Sequence, residues 1–136
     1  MIVATPDRER PVAVDLVPGA QARRKGAVPL SAFQPGEEVV ARGEWAGDRF
    51  AAIEFETLYR LVDATVASRE GDVVHTGRGT VRLSDETEPR TGAAAGRSVE
   101  GRPLGELQRG DRFLALGRRN RRTDELTAVL IGEVTS

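Results

Sequence analysis

Side chains able to do chemistry are few in this sequence, and they are scattered. It contains no Cys and one His, His75. Thiolate nucleophiles, disulfides and thiolate zinc sites are therefore excluded, as is any metal centre built on several histidines. His75 follows Val73 and Val74 with no relay partner nearby, so it reads as a surface or structural histidine. Three carboxylate groupings could serve acid–base work: Glu37-Glu38, Glu54 with Glu56, and Asp85-Glu86. Glu54 and Glu56 alternate opposite Ile53 and Phe55, which is the pattern of an outward strand face. No nucleophile or metal-ligand cluster accompanies them, and phosphate-loop, dinucleotide and serine-elbow patterns are absent. The expectation is a protein that is not an enzyme and uses no cofactor or metal.

Arg118-Arg119-Asn120-Arg121-Arg122 is the sharpest charge feature. A basic hairpin tip can grip phosphates, and aromatic residues beside it can stack on bases. On that reading Arg118, Arg119, Arg121 and Arg122 are candidate ligand-binding residues, with Trp45 as a stacking platform. Against it, Thr123, Asp124 and Glu125 follow at once, the net charge is −1 and aromatics are only 4%, which favours a solvated tip. Trp45 also reads as a buried or capping residue at a strand end. A second basic cluster, Arg23-Arg24-Lys25, reads as a solvated loop. Lys25 is the sole lysine, and this bias toward Arg is the mark of a GC-rich genome.

The elements that must hold these residues come from composition and periodicity. A chain of 136 residues, 39% hydrophobic and 30% charged, can bury a core as one domain or two very small ones. No apolar run approaches membrane-spanning length, and the opening residues turn charged by Asp7, so the expected location is the cytoplasm.

An internal repeat organises the rest. The stretch from Pro29 to Gly43 matches the stretch from Pro103 to Gly117 without a gap. Identities fall at Pro29/Pro103, Leu30/Leu104, Gln34/Gln108, Gly36/Gly110, Ala41/Ala115 and Gly43/Gly117. Phe33 corresponds to Leu107, Val39 to Phe113 and Val40 to Leu114. Upstream, Val14-Asp15-Leu16 matches Val81-Arg82-Leu83, and downstream Ala52-Ile53 matches Ala128-Val129, with length differences confined to loops. Each copy reads as a strand, a loop, a short Pro-Leu turn able to plug a barrel end, a Gly-acidic turn and a strand hairpin. Phe33, Phe50, Phe55 and Phe113 read as core.

The stretch from Phe55 to Val66 fits both helical and alternating spacing. The alignment of Ile53 to Leu58 with the β-branched run Val129 to Val134 decides for strand. A hairpin then turns at Glu70-Gly71-Asp72, a second bend falls at Gly77-Arg78-Gly79, and Ser84 to Gly101 forms a long loop.

The second copy carries a recognisable series: Val66, Gly71-Asp72, Val81, Asp85-Glu86-Thr87, Leu107-Gln108-Arg109-Gly110-Asp111-Arg112-Phe113, Gly117 and Ala128. Over residues 62–134 it resembles a family of small, tandem, β-rich bacterial domains of unknown function with OB-fold-like architecture. That resemblance implies a fold and no catalytic residues. It implies an exported setting too, from which the absence of a leader departs. The first copy fits only from Val12 onward, its opening hairpin compressed around Pro6-Asp7.

The expected fold is all-β: two repeated OB-like small β-barrel units, over residues 1–60 and 61–136, separate or fused into one double barrel. The expected function is a non-catalytic binding or scaffolding module for a protein or polymer partner. The alternative is single-stranded nucleic-acid binding through the Arg-rich hairpin. No membrane partner is expected.

Overall fold

The computed structural model describes residues 2–3, 12–24, 26–28 and 30–135. Three expectations involve residues outside that set: the compressed hairpin around Pro6-Asp7, Lys25 of the first basic cluster, and Pro29 of the first Pro-Leu turn. The described chain is all-β, with two single-turn 3-10 helices. It divides into two compact units: residues 1–34 with 39–57, and residues 35–38 with 58–136.

The first unit contains β1 (Ile2–Val3), β2 (Val12–Arg23), β3 (Ala27–Val28), a 3-10 turn (Leu30–Ala32), β4 (Val39–Ala46) and β5 (Arg49–Thr57). Its strand order is β1-β2-β5-β4, with β3 on β2. β2 and β5 run parallel, with Val14 opposite Phe50 and Leu16 opposite Ala52. β4 and β5 form a hairpin across Gly47-Asp48. Val14, Ala52 and Phe55 are buried here, with Val39, Ala41 and Phe50 packed against them. Among the described residues this sheet is open, ending at β4.

The second unit contains β6 (Tyr59–Glu70), β7 (Val73–Thr76), β8 (Gly79–Arg82), β9 (Glu88–Pro89), β10 (Gly92–Ala94), β11 (Arg97–Glu100), a 3-10 turn (Leu104–Glu106), β12 (Arg112–Asn120) and β13 (Glu125–Val134). Here the sheet closes. β6 pairs with β7, β7 with β8, β8 in parallel with β13, β13 with β12, and β12 returns to β6. The result is a five-stranded OB-type barrel, with β9 and β11 also paired to β13. Residues 50–68 are two strands, not a helix.

The barrel interior takes alternate residues of every strand: Ala64 and Val66 of β6, Val74 of β7, Val81 of β8, Phe113 and Ala115 of β12, and Leu126, Ala128 and Ile131 of β13. Phe113 is 0% exposed. Burying a side chain of that size contributes about 1.5–3 kcal/mol. Leu104 and Leu107, at the two ends of the second Pro-Leu turn, pack against this core. The Arg69 guanidinium fastens the plug by donating to the Leu104 and Leu107 carbonyls at 2.5 and 2.8 Å. The Asp-x-Thr motif is explained as well: buried Thr87 donates to the Ala128 carbonyl at 2.6 Å and accepts from the Ser84 amide at 2.9 Å.

One irregularity recurs in both hairpins. Arg42 pairs with Glu54 but Gly43 with Ala52, so Ile53 is an extra residue in β5. Leu116 pairs with Leu130 but Gly117 with Ala128, so Val129 is the extra residue in β13. This bulge corrects the simple alternation expected for β5: Phe55 is buried while Ile53 is 55% exposed. Each bulge sits against a glycine. A Cβ on Gly117 would lie 2.2 Å from the Thr127 carbonyl oxygen, and one on Gly43 would lie 1.9 Å from that of Ala51. Both obstacles are backbone, which cannot swing aside.

Gly117→Ala is therefore expected to destabilise the second unit by about 2–4 kcal/mol or to disrupt the β12–β13 pairing. Urea unfolding followed by circular dichroism checks this. A midpoint within error of the parent would sink the close-contact account.

Candidate functional site

β12 and β13 carry the arginine run at their shared tip. Asn120 builds the turn: its side-chain oxygen accepts from the amides of Arg122 and Thr123 at 2.9 and 3.3 Å. Its amide nitrogen donates to the Pro35 carbonyl at 3.1 Å. Residues 35–38 dock along this tip, with Glu37 bridged to Asn120, the Glu38 amide donating to Arg119 and the Arg121 amide donating to Gly36. Gly36 has φ near 95°, and a Cβ there would lie 2.3 Å from the Asn120 side-chain oxygen.

The arginines do not present free positive charge as a group. Arg118 makes a two-pronged pair with Glu86, and its side chain is 14% exposed. Arg119 reaches Asp124 at 2.8 Å. Arg121 reaches Glu38 at 3.2 Å. Arg122 is exposed and makes no ion pair among the described residues.

Glu38 is the centre of this cluster. Its side chain is 9% exposed and receives Arg60 through both oxygens, at 3.1 and 2.9 Å, as well as Arg121. The Arg60 hydrogen bonds, outweighing the cost of burial and aided by Arg121, hold the Glu38 carboxyl below the usual carboxylate range. Glu38 in turn raises the Arg60 guanidinium, and Glu86 raises that of Arg118. Glu38, Arg60 and Arg121 line an open depression of 230 Å³ with Arg78, Arg119 and Asp124.

The other candidates fall apart as a catalytic set. Glu54 holds Arg23 at 3.0 Å, and Glu56 holds Arg42 at 3.4 Å. Asp85 stands in the turn before Thr87. His75 is half-buried on β7 between Ser68 and Thr80. Among the described residues no group of three or more His, Asp and Glu could hold a metal ion, and no helix is long and apolar enough to cross a membrane. Arg24 donates to Thr57 at 3.3 Å and lies 4.8 Å over the Phe33 ring, so it is not simply a solvated loop residue.

Trp45 belongs to the first unit, whereas the arginine tip belongs to the second. It is not buried: it is 48% exposed and meets Phe50 edge to face, with ring centroids 5.1 Å apart. Leu16, 43% exposed, lies on the same face as Phe50 through its pairing with Ala52. Arg60 and Arg78 carry no sequence signal. Only the pairing of β6 with β12, and the β7–β8 turn, bring them to Glu38.

Glu38→Gln is expected to lower the stability of the second unit by about 1 kcal/mol at neutral pH. Glu38, Asp63 and Glu125 all titrate below their ordinary values because each accepts hydrogen bonds from an arginine. Their stabilisation is complete above the unfolded carboxylate range and is lost as pH falls through the folded values. Urea midpoints should therefore be flat down to about pH 5 and fall below it. Glu38→Gln should flatten part of that acid limb, and an unchanged limb would show that the pair contributes nothing.

No family model matches this chain, and neither a curated protein nor a solved structure matches it.

Proposed function

We propose that this chain is a non-catalytic binding or scaffolding module that recognises a protein or polymer partner through its loops and exposed sheet edges. One observation carries this reading. In the first unit, Trp45, Val40 and Ile53 are all more than a third exposed, on or next to a strand whose far edge is unpaired among the described residues. Exposed apolar residues beside an open edge form the usual platform for adding a partner strand. The charged side chains support the same reading, since Glu38, Glu54, Glu56 and Glu86, four of the carboxylates considered for acid–base work, are held by arginines. Three of the four tip arginines also spend their charge on Glu86, Asp124 and Glu38, which disfavours an oligonucleotide as the partner.

We also read the two units as copies of one duplicated plan. The parallel pair Val14–Phe50 has its counterpart in Val81–Leu126, and each hairpin has a bulge opposite its glycine. These shared registers support the sequence repeat.

Trp45 is the sole tryptophan, which makes its emission a direct reporter. Extended peptides with alternating apolar residues are expected to shift that emission saturably, with little dependence on salt. Single-stranded DNA at low salt is expected to leave the emission and the solution anisotropy unchanged. A hydrolytic turnover abolished by Glu86→Gln or Glu38→Gln would overturn the non-catalytic reading. Salt-sensitive DNA binding lost on Arg122→Ala would replace it with the nucleic-acid reading.

A further inference from the structure

We propose that β4 pairs antiparallel with β4 of a second copy of this chain, about a two-fold axis through Gly43. This rests on the reading of the chain as a module that works through exposed edges, and it names the occupant of one edge.

The second unit shows what such an edge requires. There β12 is covered by β6, and Phe113, Leu114 and Ala115 beneath that pairing are all buried. The residues aligned with them on β4 are Val39, Val40 and Ala41, and none is buried. β6 also offers a carboxylate to an outward arginine of the strand it covers, Asp63 to Arg112 at 2.9 and 2.8 Å. In the first unit, among the described residues, no strand takes that place.

β4 supplies the missing chemistry to itself. It reads Val39-Val40-Ala41-Arg42-Gly43-Glu44-Trp45-Ala46. Antiparallel pairing centred on Gly43 sets Arg42 opposite Glu44 of the other copy, twice over. The same register sets Trp45 over Ala41, a large ring against a small side chain, and Val40 against Ala46. The bulge of this hairpin lies in β5, at Ile53, so β4 itself runs regularly. Proteins usually block an edge of this length with proline, lysine or a bulge, and β4 has none of these. Arg42 already touches Glu56, but only at 3.4 Å and with both groups exposed, so it can also serve a partner strand. A ladder of about seven residues a side buries less than a standard interface, so the dimer is expected to be micromolar and to dissociate on dilution.

Sedimentation equilibrium on the full chain tests this, with Trp45 emission as the second readout. A monomer–dimer equilibrium is expected, with Trp45 emission moving to the blue as dimer forms. Glu44→Arg sets two arginine pairs face to face and should weaken the dimer constant about tenfold. Glu44 makes no ion pair among the described residues, so this variant should keep the parent circular dichroism. Adding Arg42→Glu to it restores opposite charges and should return the constant to near the parent value. A monomer at all concentrations, a dimer indifferent to Glu44→Arg, or a double variant no tighter than the single one would overturn the inference. The peptide titration of Trp45 would still decide the binding-module reading independently, because a monomer that binds peptides keeps that reading intact.

Discussion

The parallel pairing of β8 with β13 is the constraint on which the second unit depends. Without it, five antiparallel strands would form a sheet with two unpaired edges and one apolar face in water. Thr80 to Arg82 laid against Glu125 to Thr127 close the ring, and Arg82 clamps Glu125 across the seam. β13 must then serve β12, β8, β9 and β11 together. A strand crowded on both edges cannot be filled with large side chains throughout. This is why Ala128 sits at its centre, opposite Gly117, and why Val129 is pushed out of register as a bulge. The bulge bends the strand so that it can leave one partner and meet the next.

The first unit obeys the same constraint up to a point. β2 and β5 pair in parallel, and Gly43 faces Ala52 as Gly117 faces Ala128. What is absent among its described residues is a strand bridging β4 and β1, as β6 bridges β12 and β7. The consequence is measurable at single residues. Phe113 is sealed, while its aligned Val39 is only half-buried. Trp45 covers Phe50 but keeps about half of its own surface in water. Among the described residues, the unpaired edge and the exposed side chains of β4 thus go together, because both lie where β6 covers β12 in the second unit.

The fold was legible in the sequence because strands announce themselves locally. Val62, Ala64 and Val66 alternate, Gly71-Asp72 turns, and the alignment of Ile53–Leu58 with Val129–Val134 decides the ambiguous middle as strand. The bulge was less legible. Ile53 and Phe55 look like neighbours on one face until the extra residue opposite Gly43 is seen, because register is a property of two strands and not of one. The candidate site was least legible. Arg118, Arg119, Arg121 and Arg122 look like a basic tip because they are adjacent. The carboxylates that answer two of them, Glu86 and Glu38, lie 32 and 83 residues away.

The preference for arginine also acquires a structural consequence, whatever its genomic origin. Arg49 with Asp15, Arg60 with Glu38, Arg82 with Glu125, Arg112 with Asp63 and Arg118 with Glu86 are all two-pronged pairs. A planar guanidinium matches both oxygens of a carboxylate, whereas a lysine ammonium acts as a point charge. Three of these pairs join directly hydrogen-bonded neighbours, β5 to β2, β8 to β13 and β12 to β6. They fix cross-strand register on the outside of each sheet, much as interdigitated side chains fix it within. In a chain whose positive and negative residues nearly cancel, 20 against 21, such pairing leaves little unspent charge for a polyanion. Among the described residues, the charge of the arginine tip is therefore largely answered by carboxylates, whereas the outer edge of β4 has no paired strand.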